Sequence, residues 1–345
     1  MSAAAATPRD ASRINEFIKR LQQHGKQASS TPAGPRIISA GELLAMKLEK
    51  PKFIVEDFLT GPGAWLLVGA HKSGKTVLAA QLAICYQAGQ AFLDYYAMRE
   101  AGRALFIEQD DPAGLATLQE ILKRSPVPIH HDRWFTVESP QFTIGEDFVG
   151  FLAREISSRA VTMVILDSYT ALRRPRKAGA DLVKADMAEL RLLDELGKAT
   201  GCTILLIHHR ARRGNRSDWA ESAAGTYAVS AAVEGEIHIS RFPELPATAD
   251  ERLLQVRGRR LRGLELVVRF RPETYDYEFV LEGPASQYYP ELERMRQVFA
   301  DRTFSGKDIC TDLGLPRPTA YRMIARLLSG GVLIRSGYGK YKLAT

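Results

Sequence analysis

Short apolar runs bounded by glycine or polar residues alternate along the first two thirds of the chain with stretches whose apolar positions recur at helical spacing. Runs of this kind are typical of strands that are buried on both faces of a sheet. They predict strands at 64–68, 103–110, 161–168 and 201–209. The stretches between them predict helices at 76–89, 112–124, 148–158 and 180–199. Alternating strands and helices predict an α/β fold with a mostly parallel sheet and helices on both faces.

The pattern changes after residue 233, where strands follow one another without long helices. Strands are predicted at 234–241, 251–257, 264–271 and 275–281, the last two with a period of two. A Gly/Pro/Ser linker at 283–287 then separates a tail, for which we predict helices at 290–300, 305–313 and 315–328 and a hairpin at 332–343. Two helices joined by a short turn and followed by a β-ribbon indicate a winged helix-turn-helix. The predicted domains are a flexible arm at 1–36 with one helical candidate at 10–23, a core at 37–283 and a winged helix at 288–345.

One motif lies between the first predicted strand and its helix and fits G-x-x-x-x-G-K-[ST], the phosphate-binding loop of nucleotide hydrolases. Its glycines let backbone N–H groups point at phosphate oxygens, its lysine places a charge on the β- and γ-phosphates, and its threonine hydroxyl can bind Mg²⁺. A strand before it and a helix after it are the context that the motif requires. The residues are Gly69, Ala70, His71, Lys72, Ser73, Gly74, Lys75 and Thr76.

Polar side chains end the next three predicted strands. Glu108 could orient or deprotonate the water that attacks the γ-phosphate, whereas a helix cap is the alternative role, which Asp110 or Asp111 fits better. Asp167 ends an apolar strand and could bind Mg²⁺ through water. His208 and His209 end the strand after that, either as a γ-phosphate sensor or as a buried structural pair.

Charge is unevenly distributed in this 345-residue chain, which has a net charge of +7 and 25% charged residues. The tail carries ten Lys/Arg against five Asp/Glu, and two loops after predicted strands carry basic residues only. These features favour contact with the DNA backbone, although solvated charged loops are the alternative explanation. The predicted DNA-binding residues are Arg173, Arg174, Arg176, Lys177, Arg212 and Arg213 in the loops, with Arg317, Tyr321, Arg322 and Arg326 on the recognition helix.

The remaining composition excludes several classes of protein. An apolar fraction of 45% supports a sizeable core. The three cysteines are far apart and show no metal-binding spacing, which favours a reducing compartment. There is no apolar run long enough for a signal peptide or a membrane span, so we expect a cytoplasmic protein without a membrane partner.

The order and spacing of five segments between residues 36 and 283 resemble the RecA-like ATPases, and more narrowly the plasmid RepA-type hexameric helicases and their AAA-family relatives. The segments are GAHKSGKT, FIEQDDP, VILDS, LLIHHR and LLQVRGR followed by GLELVVRF. Relatives continue after the paired histidines with a lysine and an R-G-S-S-A-like stretch, whereas this chain reads HRARRGNRSDWAESAAGTYAV. The winged tail is also not part of the minimal helicase core.

This resemblance implies roles for individual residues. Lys75 and Thr76 would hold phosphate and Mg²⁺, Glu108 would be the catalytic base, Asp167 would hold Mg²⁺ through water, and His209 would sense the γ-phosphate. Arg259, with Arg257, resembles the R/K-x-R fingers that reach a neighbouring subunit's nucleotide. The two basic loops fall where RecA-like proteins place loops that contact DNA in the ring channel.

The expected function is Mg²⁺-dependent ATP hydrolysis coupled to DNA binding, by a ring-forming replicative helicase or translocase of a plasmid, phage or mobile element. The expected cofactors are ATP and Mg²⁺. The expected partners are single-stranded DNA in the channel, double-stranded DNA at the winged helix, and further copies of the chain in a homo-oligomer, with a hexamer as the expected form. One alternative is an ATPase regulator or loader whose winged helix recognises a specific site. The other, a DNA-binding protein with a degenerate core, conflicts with the intact Lys75, Thr76, Glu108 and Asp167.

Overall fold

The computed structural model describes residues 37–46, 52–176, 181–209 and 230–344, together with Phe17 and Lys19. The predicted helix at 10–23 therefore falls almost entirely outside the described residues, and the small-residue helix expected at 221–232 falls largely outside them. The strands are β1 (Lys52–Val55), β2 (Leu59–Gly61), β3 (Gly63–Gly69), β4 (Ala104–Glu108), β5 (Trp134–Thr136), β6 (Met163–Asp167), β7 (Thr203–His209), β8 (Gly235–Arg241), β9 (Glu251–Gly258), β10 (Leu264–Arg271), β11 (Asp276–Glu282), β12 (Phe304–Ser305), β13 (Leu333–Gly337) and β14 (Lys340–Leu343).

Nine of the described helices give the rest of the architecture. They are α1 (Ala40–Ala45), α2 (Lys75–Ala88), α3 (Gly114–Arg124), α4 (Glu146–Arg159), α5 (Tyr169–Leu172), α6 (Leu182–Thr200), α7 (Tyr289–Phe299), α8 (Gly306–Leu313) and α9 (Arg317–Ser329). In the part of the chain that the structure describes, every helix is too short or too polar to cross a lipid bilayer.

The central sheet has nine strands in the order β11-β10-β9-β8-β3-β7-β6-β4-β5. The six strands from β8 to β5 are parallel, while β9, β10 and β11 continue the sheet in antiparallel pairing. This arrangement confirms the predicted mostly parallel α/β fold with β additions. Because the parallel strands share one direction, β3, β4, β6 and β7 all end at the same edge of the sheet.

Helices cover both faces of the sheet because alternate residues of each buried strand point to opposite sides. On one face, Trp65 and Leu67 of β3 pack with α2 and α3, for example through Leu82. On the other face, Leu66 of β3 packs with α4 and α6, for example through Leu193. Two hydrophobic cores therefore enclose β3 and its neighbours and hold the carboxyl edge of the parallel strands in place.

Two small elements precede the central sheet. Ser39 caps α1 in a capping box with Glu42, as its position before an apolar stretch predicts. Strands β1 and β2 form a separate antiparallel pair that the hydrophobic pattern did not predict, because each is only a few residues long.

The tail packs around a core of its own. Leu292 of α7, Ile309 of α8 and Leu327 of α9 belong to one buried cluster, which a three-stranded sheet of order β12-β14-β13 closes. Ser305 caps α8 with Asp308 in a second capping box, as predicted. The elements follow the predicted order of helices and hairpin, while their assignment as a winged helix and the predicted domain boundaries remain predictions.

Candidate nucleotide-binding site

The loop between β3 and α2 has the backbone of a phosphate cradle. Gly74 precedes α2 with a φ of 94°, and Lys72 has a φ of 58°. A Cβ atom on Gly69 would lie 2.7 Å from the carbonyl oxygen of Ile239, so only glycine fits where the loop leaves the strand. Both glycines of the motif are therefore required by the local geometry as well as by close approach to phosphate.

The polar side chains of this loop turn inward. Lys75 is almost fully buried and its Nζ donates to the carbonyl of Ala70 at 2.8 Å. Burial lowers the pKa of Lys75, and the nearby Asp167 carboxylate partly opposes that shift. The buried Ser73 Oγ has no hydrogen-bond partner among the described residues. A cradle with an inward lysine and an unsatisfied hydroxyl fits a bound phosphate group.

Two carboxylates face each other beside the cradle. Glu108 and Asp167 are register partners at the ends of the adjacent strands β4 and β6. The Thr76 hydroxyl donates to Asp167 Oδ2 at 2.6 Å, and Glu108 Oε1 accepts the backbone N–H groups of Asp110 and Asp111 at 2.8 and 3.0 Å. Burial, and then the negative charge of Asp167, raise the pKa of Glu108 to about 8. Burial also raises the pKa of Asp167.

The donor chemistry of this corner suits Mg²⁺. A threonine hydroxyl and a carboxylate lie side by side, next to a cradle that fits phosphate. The described residues contain no group of three or more His, Cys, Asp or Glu side chains that could hold a metal on their own. Mg²⁺ is commonly bound through one or two carboxylates, with substrate phosphates and water completing the shell. Thr76 and Asp167 match that pattern.

The paired histidines have different surroundings. His209 is the partly exposed member, and its Nε2 lies 2.8 Å from Asp110 Oδ2, while its ring centroid is 6.0 Å from that of His71 in the phosphate loop. His208 is buried against Tyr169, its Nδ1 has no described hydrogen-bond partner, and burial lowers its pKa to about 4. Only His209 therefore faces the nucleotide site.

Sequence reasoning missed the contact of Asp110 with His209. Asp111 takes the local role that either aspartate could have had, because its Oδ1 accepts the N–H of Ala113 at 2.9 Å just before α3. Asp110 instead reaches across to β7. The carboxylate cluster in the sequence marked the right position, but two adjacent aspartates could not be told apart without the fold.

Two further neighbours of the phosphate loop come from the antiparallel half of the sheet. Arg241 at the end of β8 donates from Nη2 to the carbonyl of Lys72 at 3.0 Å. The Tyr277 hydroxyl of β11 lies so close to Gly74 that a Cβ atom there would be 1.9 Å from it. The amide of Gln81 in α2 bonds both backbone groups of Tyr277, at 2.7 and 2.9 Å. No local sequence signal marks these residues, because strand register alone brings them to the loop.

The first basic loop is tied to the core. Arg176 donates to the carboxylates of Asp186 and Glu189 on α6, and its side chain is only 15% exposed. Arg174 is exposed, although its Nε donates to the carbonyl of Ile144 at 2.7 Å, and Arg173 is exposed as well. Lys177, Arg212 and Arg213 lie outside the described residues. Contact of any of these side chains with DNA stays a prediction.

The candidate arginine fingers lie far from the phosphate loop of their own subunit. Gly258, which lies between Arg257 and Arg259, pairs with Gly235, and Gly235 pairs with Trp65 near the beginning of β3. That position is about 13 Å along the strand from Gly69 at typical strand geometry. Arg259 is exposed and donates to the carbonyl of Ala231 at 2.6 Å. Neither arginine is placed to reach its own nucleotide site.

The predicted recognition residues of the tail divide between two surroundings. Arg317, Tyr321 and Arg322 are exposed on α9, with the Arg317 guanidinium 5.5 Å from the centre of the Tyr321 ring. Arg326, further along the same helix, lines a cleft against the β9–β10 hairpin of the core.

A phosphate loop between a central strand and a helix, with carboxylates at the ends of two neighbouring parallel strands, defines a P-loop ATPase with a RecA-like sheet. The family model for the AAA domain (AAA_25) matches residues 30–215, which is more than half of the chain, and the protein belongs to this family.

Solved structures agree with the fold. The structure of a helicase ATPase domain superposes with a TM-score of 0.51 at 10% sequence identity, covering 64% of this chain and 85% of that one. The RadB recombinase gives a TM-score of 0.46 at 14% identity, with 64% and 91% covered, which is below the similarity that establishes a shared fold. Among curated protein sequences, none matches this chain.

Proposed function

We propose that this ATPase couples hydrolysis of Mg²⁺-ATP to DNA binding as a ring-forming replicative helicase or translocase of the RepA type, serving a plasmid, phage or mobile element. The observation that carries the proposal is the cluster of Lys75, Thr76, Glu108 and Asp167 at one edge of a RecA-like sheet. These groups supply the phosphate contact, the metal contacts and the base that phosphoryl transfer to water needs.

Each side chain has a role that follows from its position. The loop N–H groups and Lys75 hold the β- and γ-phosphates, while Thr76 and Asp167 hold Mg²⁺, which neutralises phosphate charge when it is bound. Glu108 orients the attacking water and accepts its proton, since a carboxylate of raised pKa is a stronger base than an ordinary one. His209, fixed by Asp110, contacts the γ-phosphate from the end of β7.

Hydrolysis in this scheme needs a second subunit. Arg259 lies at the far end of the sheet from its own phosphate loop, so its guanidinium serves a neighbour's nucleotide, where it stabilises charge on the transferring phosphate. A contact of this kind is head-to-tail and closes into a ring, for which we propose a hexamer. The exposed Arg173 and Arg174, with Arg212 and Arg213, contact single-stranded DNA in the channel.

A second candidate function rests on the tail. Its separate core and its helix-helix-hairpin order fit a winged helix, and Arg317, Tyr321 and Arg322 share the exposed side of α9. Such a module suits a loader or regulator that finds a specific double-stranded site and uses ATP to control assembly. The two functions differ in how turnover responds to single-stranded DNA.

The deciding experiment is steady-state ATP hydrolysis at fixed salt, with and without single-stranded DNA. We expect Glu108→Gln to bind ATP but to lower kcat by about 100-fold or more, because the general base is lost. Glu195→Gln, on the exposed surface of α6, is the matched control and should be as active as the parent. Unchanged turnover in Glu108→Gln would refute the site assignment. Strong stimulation by single strands supports the translocase, and indifference to them favours the regulator.

A further inference from the structure

The turn between β9 and β10 concentrates positive charge. The sequence there is RGRRLRG, with four arginines within six residues. A cleft with a volume of about 540 Å³ separates this hairpin from the tail. Arg257 and Arg262 line it from the hairpin, and Arg326 of α9 lines it from the other side. Arginines from two separately packed parts of the molecule therefore converge on one cleft.

The acidic residues of the cleft are already engaged. Glu265 Oε1 accepts the side-chain amides of Gln255 and Gln287 at 3.0 and 2.5 Å, and Glu282 accepts the Tyr96 hydroxyl at 2.5 Å. These bonds hold both carboxylates away from ion pairing with the arginines, since no described salt bridge joins either of them to the cleft.

The two arginines on opposite sides of the cleft, by contrast, are available. Arg262 and Arg326 are both exposed, and neither forms an ion pair with any described acidic residue. Two converging guanidinium groups repel each other, and an anion between them would relieve that repulsion.

The charge also continues beyond the cleft. Arg259 and Arg260 extend it along the hairpin, while Arg317 and Arg322 extend it along α9. A path of spaced guanidinium groups fits a linear polyanion better than a single small anion, because each group can neutralise a successive phosphate.

We propose that the phosphate backbone of a nucleic-acid strand crosses this cleft and is contacted by Arg262 and Arg326, so that the hairpin of the ATPase core and the tail hold the same strand. This inference rests on the proposed DNA binding and adds a binding site to it. Arg326 then contacts backbone phosphate, whereas the recognition helix reads DNA with its other exposed residues. The cleft gives the core and the tail a shared ligand.

The test is the salt dependence of binding to a fluorescein-labelled oligo-dT single strand and to a duplex, measured by anisotropy on the full chain. The double variant Arg262→Gln/Arg326→Gln should flatten the slope of log affinity against log salt by about 1.4 on the strand that uses the cleft if it is single, or about 1.8 if it is duplex. Arg154→Gln/Arg191→Gln removes the same charge from exposed positions on α4 and α6 and should leave both slopes unchanged.

A second variant separates charge from folding. Arg262→Lys/Arg326→Lys keeps both charges and should retain the parent slope, while a slope that flattens in the lysine variant as much as in the glutamine variant would overturn the proposal. If the parent binds DNA and the glutamine variant keeps its slope, the cleft inference is wrong and the proposed function stands. If that variant instead raises the KM for ATP without changing the slope, the arginines serve a nucleotide and the proposal is again wrong. A parent that binds neither DNA would overturn both.

Discussion

The loop at 173–176 and the hairpin turn at 257–263 are both rich in arginine, yet the fold uses their charges differently. In the loop, Arg176 is enclosed by Asp186 and Glu189 and is mostly buried. In the turn, Arg262 is exposed and has no described acidic partner. The comparison teaches that a run of basic residues does not by itself measure the charge available to a ligand.

The difference arises from what packs against each segment. Asp186 and Glu189 are three residues apart, on one face of α6, and they also accept the Tyr169 hydroxyl at 3.0 Å each. The loop that follows β6 crosses this face, so Arg176 completes a buried cluster of two carboxylates and a phenol. The hairpin turn, by contrast, projects from the sheet toward the cleft.

The largest expected effect comes from removing the buried cation. Arg176→Met should lower the free energy of unfolding by about 3 kcal/mol or more, because two buried carboxylates lose their partner. Urea unfolding followed by circular dichroism measures this. A loss below about 1 kcal/mol would mean that the cluster does not hold the loop in solution.

A second prediction concerns His208, which packs on Tyr169 beneath the same loop. Burial lowers its pKa to about 4, while an unfolded histidine titrates near 6.5. The unfolded chain therefore binds the proton more readily, so this contribution to stability is complete above pH 6.5 and is lost as the pH falls toward 4. Between pH 7.5 and pH 5 the loss should be about 2 kcal/mol.

Urea unfolding at the two pH values tests this, with His208→Gln as the variant. The variant should lose about 2 kcal/mol less than the parent over this interval, whereas His131→Gln, at an exposed position, should follow the parent. An equal pH response in parent and His208→Gln would show that His208 is not buried in its neutral form.

The smallest effect on stability is expected at the hairpin. Arg262→Met should change the free energy of unfolding by no more than about 0.5 kcal/mol, as is usual for exposed positions without a partner. The same urea experiment applies. A loss as large as that of Arg176→Met would place Arg262 in an internal ion pair and remove the contrast between the two segments.

Much of the fold could be predicted from the sequence because its signals are local. Buried parallel strands are continuous apolar runs, and the phosphate loop is a contiguous motif, so the ends of β3, β4, β6 and β7 were placed to within a few residues. Glu108 and Asp167 could be brought together in advance because parallel strands end at one edge.

Contacts that depend on register or on a distant helix could not be predicted. Nothing near Arg176 in the sequence indicates that α6 will enclose it, and nothing in the period-two pattern of β11 distinguishes Tyr277 from an ordinary core residue. The choice of Asp110 over Asp111 as the neighbour of His209 likewise depends on how the chain turns after β4.

The contact between Tyr277 and the phosphate loop has a consequence for how the protein is made. Gln81 and Tyr277, whose bonds fix that contact, are 196 residues apart in the chain. The loop therefore leaves the ribosome long before the strand that supports it, since synthesis proceeds from the amino terminus at about 5–20 residues per second. A nascent or prematurely terminated chain that carries the whole motif still lacks its support, so intact ATP capture marks a chain completed at least through β11.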